Sequence, residues 1–226
     1  MTTGRCKVRA IGTGDESLVL REREGGVVEL LFRNVVLLSN ASLGTEHEFG
    51  GLAASVLGRP PHRVLVGGLG FGATVAGVLE SLDATGEVLV VEKVAAVERL
   101  VRGELARVAG DPLKDKRVTV RVADVVDVLA EAHEEFDVVL LDVDNGPNWA
   151  SFRANERLYT PAGLEAIARA LQPGGAFAVW SGYPADAFQP RLRKAGLAPS
   201  IVLLRERGVV RARAYVGVKQ GAVTPA

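Results

Sequence analysis

The chain has 226 residues, 48% of them hydrophobic, and its 27 basic residues balance its 27 acidic ones. This size suits one main domain with a small appendage, and the absence of long charged blocks disfavours nucleic-acid or membrane-surface partners. The single cysteine, Cys6, excludes an internal disulfide. The start MTTGRCKVRA has no secretory pattern, and no stretch approaches the roughly 20 apolar residues that cross a bilayer. We therefore expect a cytoplasmic protein with no membrane contact.

Residues 1–44 are predicted to form a small antiparallel β cap, because short β-rich segments alternate there with glycine turns. The expected strands are Lys7 to Ile11, Ser17 to Arg21, Val27 to Phe32 and Asn34 to Leu38. A helix over Glu46 to Leu57 is predicted to follow the cap.

Residues 45–220 are predicted to form the main domain, since strand and helix patterns alternate as in a parallel sheet covered on both faces. Thr160 and Pro161 have the pattern of a helix start, and Gln172 to Gly175 that of its end. Residues 221–226 are expected to be a flexible tail. The predicted strands are Arg63 to Gly67, Glu87 to Val91, Val118 to Val122, Phe136 to Leu141 and Ala176 to Trp180, followed by a hairpin of Ile201 to Leu204 and Arg211 to Val218.

The most informative motif is VLVGGLGFGAT at residues 64–74, where an apolar strand stops on Gly68, Gly70 and Gly72. Glycine lets the chain turn sharply and lets a ligand approach the backbone. The motif is typical of nucleoside-binding α/β domains, but it also fits the phosphate-binding pattern of dinucleotide enzymes. Ligands of such sheets bind beyond the carboxyl ends of the strands, so residues at those ends are the candidates for a site.

The second and third strands of the main domain each lead into an acidic residue. Glu92 ends the second strand of the main domain, at the spacing expected of an acid that binds ribose hydroxyls. Its alternative role is a solvated acid paired with Lys93. Asp124 follows the third strand and either contacts a nucleobase or caps the next helix.

The fourth strand ends in FDVVLLDVDNGP, with Asp142 and Asp144 two residues apart. An Asx-type turn could account for Asp144. It does not account for Asp142, because an acid at the end of an apolar strand costs desolvation unless a pocket, a cation or a donor receives it. We therefore predict a pocket at Asp142.

With these motifs in place, the chain resembles the spermidine synthase, or polyamine aminopropyltransferase, family. The similarity lies in VLVGGLGFGAT, VLVVEK and FDVVLLDVDNGP, continues through Leu158-Tyr159 to LQPGGAFAVW, and spans about residues 27–218. It implies a Rossmann-like α/β domain of the class I methyltransferase fold, with a mostly parallel seven-stranded sheet, a C-terminal antiparallel hairpin and a small N-terminal β cap. It also implies nucleoside contacts from Gly68, Gly70, Gly72, Glu92 and Asp124.

The reaction that the resemblance implies is transfer of an aminopropyl group to a small amine. The co-substrate would be decarboxylated S-adenosylmethionine or S-adenosylmethionine, without a metal, and the enzyme would be a homodimer. Asp144 is then the candidate proton acceptor, and Asp142 would orient the amine. Trp149, Tyr159 and Trp180 would wall the substrate, with core packing as the alternative for each.

Glu46 and Glu48 could add negative charge to this site, but a solvated helix face is the simpler expectation for them. Phe71 stands inside the glycine motif where the family usually has an acid. This difference favours, as an alternative, a methyltransferase on the same fold. A non-catalytic nucleoside-binding protein is a further alternative, and a nicotinamide oxidoreductase fits least well.

Overall fold

The structure, a computed structural model, describes residues 6–11, 18–32, 35–143, 146–147 and 153–221. None of the helices in these ranges is long and apolar enough to cross a membrane.

The N-terminal strands form an antiparallel four-stranded sheet in the order β1-β2-β3-β4. Each strand lies within one residue of its predicted bounds. Leu18 and Leu20 of β2 and Leu30 of β3 are buried, because one face of this sheet packs on the rest of the protein. The four strands are β1 (Lys7–Ile11), β2 (Leu18–Glu22), β3 (Val28–Phe32) and β4 (Val35–Ser39).

The second sheet has seven strands in the order β10-β11-β9-β8-β5-β6-β7. Strands β5 to β9 pair in parallel, and β10 and β11 form an antiparallel hairpin at one edge. This topology confirms the predicted fold class. The strands are β5 (Arg63–Gly67), β6 (Glu87–Glu92), β7 (Val118–Val122), β8 (Phe136–Leu141), β9 (Leu171–Ser181), β10 (Leu197–Glu206) and β11 (Val209–Lys219).

Strand β9 begins earlier than predicted. We expected Gln172 to Gly175 to end the helix before a strand at Ala176, but the chain passes directly from the helix into the strand at Leu171. The glycines instead give a break in register near Phe136, where Gly174 takes a φ of 79°. The glycines that suggested the end of the helix therefore form an irregularity inside a strand.

Helices connect the parallel strands and cover both faces of the sheet. The predicted start at Thr160 is confirmed, since its side chain accepts a hydrogen bond from Gly163 N at 3.1 Å. The helices are α1 (Gly44–Leu57), α2 (Ala73–Ser81), α3 (Ala95–Arg102), α4 (Val125–Glu131), α5 (Pro161–Ala170) and α6 (Gln189–Lys194).

The core has one apolar cluster on each face of the large sheet. Successive residues of β5 alternate between them, with Val64 and Val66 on one face and Leu65 on the other. The first cluster also contains leucines of the N-terminal sheet. That sheet therefore covers one face near the carboxyl edge of the parallel strands. A domain boundary between residues 44 and 45 stays a prediction.

Candidate functional site

A cavity of about 310 Å³ lies at the carboxyl ends of the parallel strands, beneath the N-terminal sheet. Residues from the ends of β5, β6, β7 and β8 form its floor, and side chains of β2, β3 and β4 form its opposite wall. This is the edge at which sheets of this kind bind ligands.

The glycine loop follows β5 and forms one border of the cavity. Gly68 and Gly70 line the cavity with φ angles of 91° and 51°. A Cβ on Gly68 would lie 2.3 Å from the carbonyl oxygen of Asp142, so only glycine lets this loop pack against the end of β8. A Cβ on Gly70 would meet only Leu38, at 3.7 Å, so a ligand can approach the backbone there. Gly72 lies outside the cavity lining and is the N-cap of α2.

Glu92, at the end of β6, is buried beside the loop. Its Oε2 accepts from Leu69 N at 3.0 Å, and its Oε1 accepts from Val94 N at 2.7 Å. Burial raises the pKa of Glu92, although these backbone hydrogen bonds act to lower it. The alternative of a solvated acid paired with Lys93 is wrong, because the carboxylate is buried and Lys93 binds elsewhere.

Asp124 caps α4 and also borders the cavity. Its Oδ1 accepts from Val126 N at 3.0 Å, and its Oδ2 accepts from Lys93 Nζ at 2.9 Å. Burial acts to raise the pKa of Asp124, but the hydrogen bonds from Lys93 and Val126 outweigh it and lower the pKa. The capping role is therefore present, and it leaves the carboxylate facing the cavity as an anion.

Asp142 lies at the end of β8, on the floor of the cavity. Its Oδ2 accepts from Thr74 Oγ1 at 2.6 Å, and its backbone N–H donates to Gly67 O at 2.8 Å. Burial raises the pKa of Asp142 to about 7; the hydrogen bond from Thr74 opposes this rise, and the charge of Glu46 adds to it. Asp142 thus has the pocket that its sequence position predicts, with a carboxyl group that titrates near neutrality.

Glu46, in the first turn of α1, lines the same cavity. Burial raises its pKa, with the hydrogen bond from Thr45 opposing. The expectation of a solvated helix face is therefore wrong for Glu46. Glu48 does point elsewhere: its Oε2 accepts from Arg205 N at 2.6 Å.

Close packing of α1 against α2 brings Glu46 to the cavity. A Cβ on Gly50 would lie 2.1 Å from Thr74 O, and one on Gly77 would lie 2.0 Å from His47 O. Only glycines allow this approach. As a result Thr74 Oγ1 lies 3.3 Å from Glu46 O, and the same hydroxyl contacts Asp142. Glycines in two helices are compatible with a close helix contact, but the sequence does not say which helices meet.

The aromatic candidates separate into two groups. Trp180 and Phe71 line the cavity, and the indole Nε1 of Trp180 is buried with no hydrogen-bond partner among the described residues. Tyr159 instead lies in the core with 1% exposure, where its ring meets Phe188 edge-on at 5.8 Å. Asp144 and Trp149 lie outside the described residues.

The strand order, the glycine loop and the acidic strand ends define a Rossmann-like α/β protein of the class I methyltransferase fold, with a ligand cavity at the carboxyl edge of its sheet. The sequence model of the spermine/spermidine synthase domain matches residues 47–185, more than half of the chain. The chain belongs to this family.

Individual relatives agree with this assignment. A polyamine aminopropyltransferase of Synechococcus sp. (strain JA-2-3B'a(2-13)) is 33% identical over 126 residues, which cover 54% of this chain and 38% of that relative. A crystal structure of spermidine synthase in complex with the transition-state analogue AdoDATO superposes with a TM-score of 0.72 at 19% identity, over 95% of this chain and 73% of that one.

The fold also extends to methyltransferases. The Burkholderia thailandensis 1,6-didemethyltoxoflavin-N1-methyltransferase, solved with 1,6-didemethyltoxoflavin and S-adenosylhomocysteine, gives a TM-score of 0.56 at 20% identity. This match covers 79% of this chain and 80% of the other. At these identities, both structural matches establish the fold alone.

Proposed function

We propose that this chain is a spermidine synthase-like transferase, which moves an aminopropyl group from decarboxylated S-adenosylmethionine to a small amine. One observation carries the proposal: the glycine loop, Glu92, Asp124 and Asp142 border a single cavity at the carboxyl edge of the sheet. Membership of the spermine/spermidine synthase family supports it.

The polar border of the cavity suits a nucleoside donor. Glu92 is held in place by two backbone N–H groups, and each of its oxygens keeps a lone pair for a ribose hydroxyl. Asp124 similarly keeps acceptor capacity for the amino group of an adenine. The backbone at Gly70 is open to close approach. When bound, the sulfonium nucleoside supplies an electrophilic carbon and a neutral thioether leaving group.

Asp142 would receive the reacting amine. An amine attacks only when neutral, so the carboxylate first accepts a proton from the bound ammonium. The nitrogen then forms its bond to the aminopropyl carbon as the carbon–sulfur bond breaks, and methylthioadenosine leaves. A pKa of about 7 suits this task, because the group can both take up and release a proton near neutrality. Asp144 stays a candidate for the same proton.

The direct test is turnover with decarboxylated S-adenosylmethionine and a panel of amines, measured as release of methylthioadenosine. We expect release with the wild-type chain and its loss in Asp142→Asn. Glu87→Gln is a matched control, because Glu87 is an exposed carboxylate at the opposite end of the strand that carries Glu92. No release with any amine would reject aminopropyl transfer.

Phe71 favours methyl transfer as the second candidate. It is a buried ring that lines the cavity from within the glycine motif, the position where an acid would contact the amine of the aminopropyl donor. Calorimetric titration separates the two candidates. Tighter binding of intact S-adenosylmethionine than of its decarboxylated form would favour the methyltransferase.

A further inference from the structure

Thr74, the second residue of α2, places a buried hydroxyl between three elements. Its Oγ1 donates to Asp142 Oδ2, at the end of β8, at 2.6 Å, and lies 3.3 Å from the backbone oxygen of Glu46 in α1. These partners are 68 and 28 residues away in the chain. A threonine inside a helix commonly bonds a carbonyl of its own preceding turn. The hydroxyl of Thr74 instead links α2 to the candidate site.

The packing of α1 on α2 fixes the position of this hydroxyl. A Cβ on Gly50 would lie 2.1 Å from the backbone oxygen of Thr74, so the two helices touch at this residue. Threonine is β-branched, and its side chain has few accessible rotamers in a helix. Oγ1 is therefore held beside Asp142 without the help of a ligand, as a preorganised site requires.

A hydroxyl suits an acid that changes its protonation state. It carries one proton and two lone pairs, so it can donate to a carboxylate and can also accept from a carboxylic acid. Thr74 donates to Oδ2 when Asp142 is ionised or carries its proton on Oδ1. When Oδ2 carries the proton, Asp142 donates to Thr74, whose own proton turns to the backbone oxygen of Glu46. The hydrogen bond between the two side chains therefore persists in each state.

Glu92 and Asp124, which line the same cavity, have partners of a different kind. Their described hydrogen bonds come from N–H donors, which are Leu69 N and Val94 N for Glu92 and Val126 N and Lys93 Nζ for Asp124. Such donors cannot accept, so they support a carboxylate and offer nothing to the proton of a neutral acid. Asp142 has a partner that serves both forms, and it is therefore the acid equipped to gain and lose a proton.

We propose that Thr74 is a positioning residue for the proton transfer, because its hydroxyl holds Oδ2 of Asp142 and keeps Oδ1 for the acceptor amine. This inference rests on the proposed function and adds a residue to its mechanism. In the step that Thr74 serves, an N–H bond of the bound ammonium breaks, its proton passes to the Asp142 carboxylate, and the electron pair stays on nitrogen. The proton leaves to solvent after the product has departed.

The charges around Asp142 set the conditions for a test. Glu46 of α1 faces Asp142 and raises its pKa, whereas the Thr74 hydrogen bond lowers it. Asp144 lies outside the described residues. Further charged groups line the cavity from the ends of β6 and β7, namely Glu92, Lys93 and Asp124. Substitution of Thr74 by an uncharged residue keeps all of these charges, so a change in the pKa of Asp142 reports the hydroxyl itself.

The direct measurement is the pKa of Asp142, followed in the full chain by carbon-13 NMR of the aspartate carboxyl groups. The resonance of Asp142 is identified by its loss in Asp142→Asn. Thr74→Val replaces the hydroxyl by a methyl group of similar size and should raise the pKa of Asp142 by about one pH unit, because hydrogen bonds to a charged group are the stronger ones. Thr74→Ser keeps the hydroxyl and should return the pKa towards the wild-type value. An unchanged pKa in Thr74→Val overturns the proposal.

The pH dependence of kcat/KM gives the second readout. Its acid limb should move to higher pH in Thr74→Val by the same amount, which lowers kcat/KM about fivefold at pH 7 and much less at pH 9. Thr74→Ser should restore the wild-type profile. A loss of activity that is equal at every pH, with an unmoved profile, would assign Thr74 a structural role only and would contradict the inference.

Two further variants act as controls. Ser81→Ala removes a hydroxyl from the other end of α2, where Ser81 donates only weakly to Val78 O at 3.4 Å, and should change neither readout. Thr74→Ala is a second variant without the hydroxyl, and it must also raise the pKa of Asp142 if valine disturbs the packing. Circular dichroism checks that each variant is folded.

The NMR titration requires no substrate, so the two proposals can fail separately. If the wild-type chain releases no methylthioadenosine with any amine, the proposed function fails, and Thr74 loses its role in that reaction whatever the titration shows. If turnover occurs but the pKa of Asp142 and the pH profile do not respond to Thr74→Val, only the role of Thr74 fails.

Discussion

Strand β8 carries a carboxylate near each end, and the two have opposite properties. Asp137, near the amino end, is buried and accepts from the backbone N–H groups of His62 and Arg63 at 2.9 and 2.8 Å and from the Arg59 guanidinium at 2.5 Å. Asp142, at the carboxyl end, accepts from the Thr74 hydroxyl and faces the charge of Glu46.

The pKa values of the two groups diverge for this reason. Burial acts to raise the pKa of Asp137, but the hydrogen bonds from Arg59, Arg63 and His62 outweigh it and lower the pKa. Burial raises the pKa of Asp142 to about 7, and the hydrogen bond from the Thr74 hydroxyl does not compensate. Burial alone therefore does not mark a functional acid. A buried acid with too few donors is a candidate functional group, because the protein does not offset the desolvation of its charge.

The largest expected effect is the loss of turnover in Asp142→Asn. Removal of the group that takes the proton should lower kcat about 10²- to 10⁴-fold, with methylthioadenosine affinity unchanged. Steady-state kinetics measures the loss of kcat, and calorimetry on the same preparation measures the affinity for methylthioadenosine. In the wild type, kcat/KM should rise with pH up to about 7, because the carboxylate is the active form. A pH profile that is flat through this range would contradict the role.

The same substitution should also change how the free energy of unfolding depends on pH. An acid whose pKa is raised on folding contributes stability below its unfolded pKa, and loses that contribution as the pH rises through the folded value of about 7. Asp142→Asn should therefore be more stable than the wild type at pH 8, by roughly 2 to 4 kcal/mol, and no more stable at pH 3. Denaturant unfolding at both pH values measures this difference.

Asp137→Ala should act on stability and leave the site intact. The change removes the acceptor of two backbone N–H groups and should lower the free energy of unfolding by about 2 kcal/mol. Asp137→Asn keeps an oxygen for these donors and should cost less. Urea unfolding ranks the three proteins. If Asp137→Ala lowered nucleoside affinity as much as stability, the contrast between the two ends of β8 would be lost.

Glu92→Gln should weaken nucleoside binding about tenfold, which corresponds to ~1.4 kcal/mol. The amide has one acceptor oxygen where the carboxylate has two, so Leu69 N and Val94 N can no longer both be satisfied alongside a ribose hydroxyl. Calorimetry with methylthioadenosine provides the measurement. Glu87→Gln is the control, and equal affinities in the two variants would remove Glu92 from the site.

The smallest effect is expected for Lys93→Gln. The ion pair between Lys93 and Asp124 is half exposed on its lysine side, so its loss should change the free energy of unfolding by about 0.5 kcal/mol or less. Asp124 would still cap α4 through Val126 N. Thermal unfolding at low and moderate salt checks the value. A large destabilisation would mean that the ion pair between Lys93 and Asp124 holds the ends of β6 and β7 together.

Local patterns were sufficient to predict most of the fold. Apolar runs bounded by turn residues define β5, β7 and β8 to the residue, and Thr160 marks the start of α5. The prediction was wrong at Leu171, because a positive φ at glycine serves an irregularity inside a strand as readily as a turn. Such a choice depends on pairing with β8, which lies far away in the chain.

The candidate site was less completely predictable. Glu92, Asp124 and Asp142 could be identified because the ends of parallel strands share one edge. Glu46 and Glu48 could not be told apart, since a carboxylate in a helix gives no sign of the surface that it will face; only Glu46 lines the cavity. Tyr159 was predicted to line the site because it follows the site motifs in sequence, but its ring lies in the core.

The sequence by itself determined the order of the elements, the glycine loop and the acids that follow the strands, because these features depend on neighbouring residues and on strand polarity. Only the tertiary structure decided which acid is left short of donors, how closely α1 approaches α2, and which apolar side chains close the cavity. Those properties arise from contacts between residues distant in the chain, such as Thr74 with Asp142, and no local pattern encodes them.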